Sequence, residues 1–308
     1  MEIKNRPAFK RQQGFSLIEL LIAIPISLLI LFAVLKIFTA TVQSVSMQNG
    51  FSRVQENGRM AIELISRDIR GADYWGCAND INAITNNLSN PSAVDLLLSN
   101  GGIDGEEDAS SLIIDGKDVL DGSDTLTLRG AQSYSNVKLQ GAMAMNSGTM
   151  TILTGSSIES GDMILTTDCQ VGDLFANTAD TQNTNKLASS VNLSKAYSAD
   201  AQILSPSSKT YFIAESQSGD GVYSLYRGVN GSASEMVRGI NDLQVRYGED
   251  SNASGAVDSY SDAASVSNMD NVLVIRVILV SESGNGVSGS ALERSYTVTS
   301  AIRNRTRW

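Results

Sequence analysis

The chain has 308 residues, two cysteines and no histidine, and its 23 Lys+Arg stand against 33 Asp+Glu for a formal charge of −10. Without histidine there is no Ser-His-Asp or Cys-His nucleophile system and no His-ligated zinc; two thiols fall short of a four-thiolate metal site. The acidic balance disfavours a broad nucleic-acid surface, which needs basic stripes. The length allows one large domain or two small ones. The mean hydropathy of −0.05 is that of an ordinary soluble protein, but the apolar residues are unevenly spread.

Residues 1–14 carry Lys4, Arg6, Lys10 and Arg11 against Glu2. The 21 residues from Phe15 to Leu35 that follow hold one charge, Glu19. As a helix they would span about 31 Å, close to the ~30 Å of a bilayer core. Cations on the N-terminal side keep that end cytoplasmic and send the rest across. A secretory signal has a shorter apolar core and a small-residue cleavage site after it. Here the small residue, Gly14, comes before the run. A plain signal anchor is the simple alternative, but it has no use for Glu19. A carboxylate at mid-bilayer costs about 2.5–3.5 kcal/mol, and such residues generally have a partner.

Gly14-Phe15-Ser16-Leu17-Ile18-Glu19 resembles the cleavage and methylation motif of type IV prepilins. The resemblance implies that a prepilin peptidase cuts between Gly14 and Phe15, that Phe15 becomes the N-methylated first residue, and that Glu19 meets the N-terminal amine of a neighbouring subunit. The electrostatics agree. An amine and a carboxylate, each costly alone in lipid, neutralise each other when subunits associate in register.

Beyond Lys36, Val54, Ala61, Ile62, Ile65 and Ile69 recur at helical spacing, with charged residues on the other faces. The spacing predicts one helix over 15–71, about 84 Å long to Arg70, with Pro25, Gly50 and Gly58 as weak points and Gly71 as the stop. Past Gly71 the pattern becomes short β-prone runs between turn residues. Strands are expected at Asp124–Arg129, Thr149–Leu153, Asp162–Thr166, Thr210–Ala214, Val222–Arg227, Leu243–Tyr247, Val272–Ser281 and Arg294–Ile302. The near-continuous apolar run VLVIRVILV reads as a central buried strand. Polar stretches 79–111 and 176–202 read as long loops.

Patches of this head also resemble PilW-type minor pilins: Glu56-Asn57-Gly58-Arg59, Arg67-Asp68-Ile69-Arg70, Tyr74-Trp75-Gly76-Cys77, Gly161-Asp162 leading to Asp168-Cys169, and Leu243-Gln244-Val245-Arg246-Tyr247-Gly248. The resemblance covers about half the chain. It implies a low-abundance subunit that initiates or caps a fibre with other minor pilins and the pilus core subunits.

In an exported domain Cys77 and Cys169 form a disulfide, the alternative being two buried free thiols. Asp250, Asn252, Ser254, Gly255 and Asp258 fall at positions 1, 3, 5, 6 and 9 of an EF-type calcium loop, but Ser261 stands at position 12 where a bidentate glutamate belongs, with Asp262 adjacent. A solvated hairpin loop is the simpler reading, and no metal is expected. Glu106-Glu107-Asp108 reads as a solvated acidic loop rather than a pair of glycosidase acids. Arg303, Arg305 and Arg307 alternate as if along one strand face. No Gly-rich phosphate loop occurs.

The expectation is an α+β, type IV pilin-like chain: a leader at 1–14, an N-terminal helix at 15–71 that spans the inner membrane at 15–35, and a β-rich head at 72–308 in the periplasm and later on the fibre surface. Its work is assembly, with no catalytic residues and no cofactor. Removing residues 1–14 discards four cations and one anion, leaving 19 cations against 32 anions, a side-chain charge of −13. Such a head is not expected to bind nucleic acid. The rivals are a type II secretion pseudopilin, a pilus-tip adhesin or DNA-uptake pilin, and a signal-anchored enzyme.

Overall fold

The computed structural model describes residues 14, 16–78, 81–88, 102–134, 137–145, 147–153, 158–283 and 291–305. Ser16 caps a single helix, α1, from Leu17 to Gly71. At 1.5 Å per residue its 55 residues run about 83 Å, passing through Pro25 without ending there. Its two halves live in different environments. From Leu17 to Asn49 every residue is exposed, whereas Val54, Gly58, Ala61, Ile65, Ser66 and Ile69 are buried against the head. This one-sided spacing of three to four is the stripe that the sequence pattern predicted.

The head is built from strands β1 (Ile84–Asn86), β2 (Ile103–Glu106), β3 (Ile113–Ile114), β4 (Lys117–Asp118), β5 (Thr125–Ser133), β6 (Thr149–Thr151), β7 (Met163–Thr167), β8 (Gly172–Ala176) and β9 (Lys186–Ala188). These are followed by β10 (Gln202–Glu215), β11 (Tyr223–Val229), β12 (Ser232–Arg238), β13 (Ile240–Glu249), β14 (Ser259–Ser261), β15 (Val272–Glu282) and β16 (Glu293–Ala301). An eight-stranded sheet runs β1-β8-β7-β10-β11-β12, with β5 and β2 added on the other edge of β10. A four-stranded antiparallel sheet runs β14-β13-β15-β16. One core joins the second half of α1 to both sheets, through Ile65 and Ile69 on the helix, Leu126, Tyr211 and Leu225 on the larger sheet, and Val245, Val277 and Leu279 on the smaller.

Each of the eight expected strands is present, and three sequence expectations need correction. The polar stretches 79–111 and 176–202 contain β1, β2 and β9, so they are not simple loops. VLVIRVILV lies in β15, centrally between β13 and β16, but its burial alternates: Ile275, Val277 and Leu279 face the helix while Val274, Arg276 and Ile278 are only half-buried. A strand covered on one face needs only every second residue apolar. β16 ends at Ala301, so Arg305 lies beyond the strand and turns inward, donating to the Asp73 carboxylate and to the Met269 and Val272 carbonyls. With Asn304, whose amide donates to the Ala72 carbonyl at 2.7 Å, it fastens the end of α1. Arg307 lies outside the described residues.

β5 and β10 pair directly, Ser133 opposite Leu204, so the chain between them is an insertion. It has its own apolar cluster, including Met150, Ile164, Phe175, Leu187 and Tyr197. Within it the fully buried Asp173 carboxylate accepts from Asn87, Ser194 and Tyr197, the last at 2.6 Å. Burial first, and then Asp173, raises the Tyr197 phenol above its ordinary pKa, which keeps it a neutral donor at any physiological pH.

Cys77 and Cys169 form a disulfide with Cα atoms 4.4 Å apart. Cys77 follows the helix, and Cys169 sits with positive φ in the turn between β7 and β8, so the bond fastens the inserted lobe to the end of α1. The 92-residue separation corresponds to about 4–5 kcal/mol in the chain-entropy model. The double substitution Cys77→Ser/Cys169→Ser is expected to cost about 2–5 kcal/mol in reductant-free denaturation and to make the lobe the first site of proteolysis. Unchanged stability with unchanged cleavage would show that the bond does not hold the lobe.

Candidate functional site

The expected assembly residues lie at the free end of α1. Gly14 is exposed, and an added Cβ there would meet nothing within 4 Å. Residues 1–13 of the leader and Phe15, the first residue after it, lie outside the described residues. Glu19 sits in the first turn, where a carboxylate is favoured by the helix dipole, and its Oε2 accepts the Ser16 N–H at 3.0 Å. It is exposed, as is every side chain from Leu17 to Leu35. Among the described residues this is the one helix long and apolar enough to cross a membrane, and none of its most apolar stretch is buried.

The docked half of the helix is fitted to the sheet by specific contacts. At Gly58 a Cβ would come within 2.2 Å of the Tyr296 ring on β16, and the Tyr296 hydroxyl donates to the Val54 carbonyl at 3.2 Å. The neighbouring Asn57 amide donates to the Arg238 carbonyl at 2.8 Å. Further along the helix, Ser66 and Ser300 share a hydrogen bond of 2.7 Å, and Arg70 donates to Ser66. Asp68 faces the larger sheet, where its carboxylate accepts from Tyr211 at 2.7 Å and pairs with Lys209 at 3.2 Å and Arg227 at 3.6 Å. Burial first, and then Asp68, holds the Tyr211 phenol above its usual pKa. In the PilW-like patches at 56–59 and 67–70, Asn57, Gly58, Asp68 and Ile69 dock the helix on the head, while Glu56, Arg59 and Arg67 are exposed. Trp75 in the 74–77 patch is buried and donates from Nε1 to Asp73. Gly76 has φ +78°, and a Cβ there would press on Leu204, Gln202 and Thr167. Spacing alone marked none of the partners of Gly58 or Asp68, since they come from the distant strands β10, β11 and β16.

The acidic loop at 249–262 closes on itself. Asp250 accepts the N–H groups of Ser254 and Gly255 at 2.9 and 2.7 Å, and Asp258 accepts from Ser251 and Asn252. The position-12 neighbour, Asp262, pairs instead with Arg246. Among the described residues no three acidic or thiol side chains are grouped to hold a metal ion.

Residues 9–35 match the family model of the prokaryotic N-terminal methylation motif, and residues 210–305 match that of type IV pilus-assembly protein W. The second match runs from within β10 to the Arg305 anchor, leaving the docked half of α1 and the inserted lobe outside both. No curated protein and no solved structure matches the chain. An N-terminal methylation motif on an unburied apolar helix, joined to a β-rich head, supports a membrane-anchored pilin, and over residues 210–305 the chain is similar to the PilW family of type IV pilus minor pilins.

Proposed function

We infer that this subunit is cleaved by prepilin peptidase between Gly14 and Phe15, N-methylated at Phe15, and held in the bacterial inner membrane by residues 15–35 with its head, 72–308, in the periplasm. From there it enters the pilus fibre with other minor pilins, taking part in initiation and assembly. The observation that carries this reading is the division of α1: its apolar half has no partner within the described residues, while its second half is locked to the head. A helix with an unpartnered apolar surface needs either lipid or other helices, and a pilin needs each in turn. Glu19, exposed on that surface, is available to meet the amine of a neighbouring subunit and set the axial register.

Crosslinked envelopes test the partnership. Affinity purification of the full chain is expected to bring down other minor pilins and pilus core subunits in near-stoichiometric amounts. Recovery of secretion-system pseudopilins alone, with intact piliation in a strain lacking this chain, would assign it to type II secretion.

A further inference from the structure

The larger sheet has a second face, turned away from α1, and part of it is open. On one edge of β10, β7 pairs with Gln202–Leu204 and β11 with Lys209–Glu215, while β5 holds the opposite edge throughout 204–211. The sheet therefore forks at 205–208, and Pro206, which has no N–H to give to a ladder, lies in the fork. Above the fork lies a cleft of about 790 Å³ between the β3–β4 hairpin and Met163 of the inserted lobe. This volume is within the range of ordinary binding sites, which favour such junctions between units.

The floor is polar, with Thr127 and Thr210 hydrogen-bonded to each other at 2.9 Å. Among the described residues three carboxylates line the cleft and no cation does. Asp104 is neutralised by Arg129 at 3.1 Å, which leaves the exposed Glu106 and Asp115 as its net charge. The walls are aliphatic: Ile113, 64% exposed, with Ile114 and Leu112 on one side and Met163 on the other. Among the described residues no aromatic ring lines it, as a sugar platform would require. The hairpin is fixed in place. Lys117 lies over the Tyr226 ring at 5.3 Å, Val119 bridges to Ala214, and Asp115 rests where any side chain at Gly228 would collide with it, 2.5 Å from an added Cβ.

We propose that this cleft binds an extended polypeptide segment carrying two basic side chains, which pair with Glu106 and Asp115, around an aliphatic side chain that packs on Ile113, Ile114 and Met163. Charge complementarity selects the cations and the aliphatic walls select the residue between them. The proposal stands whether or not the chain enters a fibre, because binding is read on the isolated protein.

The test uses the full-length chain in zwitterionic nanodiscs and a fluorescent, end-blocked peptide with Lys-Val-Lys between serines. Saturable binding that weakens with added salt is expected. Glu106→Gln/Asp115→Asn should weaken it about tenfold, as the loss of two partly exposed ion pairs implies, and Ile113→Ser should weaken it severalfold. Both variants change exposed side chains, and an unaltered melting temperature shows that the head remains folded. No saturable binding, equal binding of the Glu-Val-Glu counterpart, or full affinity in the double variant would overturn the proposal. So would a change of oligomeric state in Ile113→Ser, which would assign the cleft to a second copy of this chain.

Discussion

Glu19→Ala is expected to be processed normally at Gly14 and then to be missing from fibres. The carboxylate contributes nothing to the folding of the head: it is exposed, and its hydrogen-bond partner is the backbone N–H of Ser16. A carboxylate costs about 2.5–3.5 kcal/mol at mid-bilayer, which is the upper bound for Glu19 as the fifth residue of an otherwise uncharged segment of 21. On the assembly account that cost is offset only when the Phe15 amine of a neighbour arrives. Breaking a buried pair by removing one partner costs about 3–5 kcal/mol, a factor above about 100 in the assembly equilibrium. Alanine also removes the lone carboxylate from lipid, so membrane retention should improve while incorporation collapses. Quantifying the chain in sheared fibres and in membranes separates the two effects. Wild-type incorporation of Glu19→Ala would remove the register role.

The second large effect is expected at Gly58. On an isolated helix Gly→Ala gains about 1 kcal/mol of stability. Here the added methyl would sit 2.2 Å from the Tyr296 ring, and that ring is tethered through its hydroxyl to Val54. Overpacking of this kind costs about 1–3 kcal/mol, so the propensity gain is overridden. Gly58→Ala should lower the thermal midpoint, and Gly58→Leu should separate the helix from β16. In a double-mutant cycle with Tyr296→Ala the Gly58→Ala penalty should vanish, because the residues are in contact. A more stable Gly58→Ala would mean that the helix stands clear of the sheet.

These two residues also show how far the sequence could be read. Glu19 was legible because its signal is local: one acid at a fixed distance from Gly14 in an apolar run. Gly58 was legible only as a weakness in a helix, because the ring that requires it comes from the other end of the chain. The same division holds for the strands. Apolar or β-branched runs such as 272–281 and 243–247 declare themselves, although the alternating burial of the first depends on α1 covering a single face. The first half of β10, with Ser205, Pro206, Ser207 and Ser208, and β12, with Ser232, Ser234 and Glu235, lack that signature and are held by their neighbours' ladders. β8 is a short Gly-Asp-Leu-Phe-Ala run whose aspartate is buried because Asn87, Ser194 and Tyr197 donate to it. The pairing of the two cysteines was legible from their number and the exported setting. That the bond ties an inserted lobe to the helix end follows only from the β5–β10 register. The cleft beneath the β3–β4 hairpin is likewise non-local, drawing on several strands and the lobe.

The proposed assembly role requires two events, release of the cationic leader and entry of the mature chain into a fibre. Mass spectrometry of the subunit's N-terminal peptide from sheared, washed pili tests it directly. The expected result is a low-abundance chain in that fraction whose first residue is N-methylated Phe15. A chain that retains residues 1–14 and stays in the membrane fraction would contradict it.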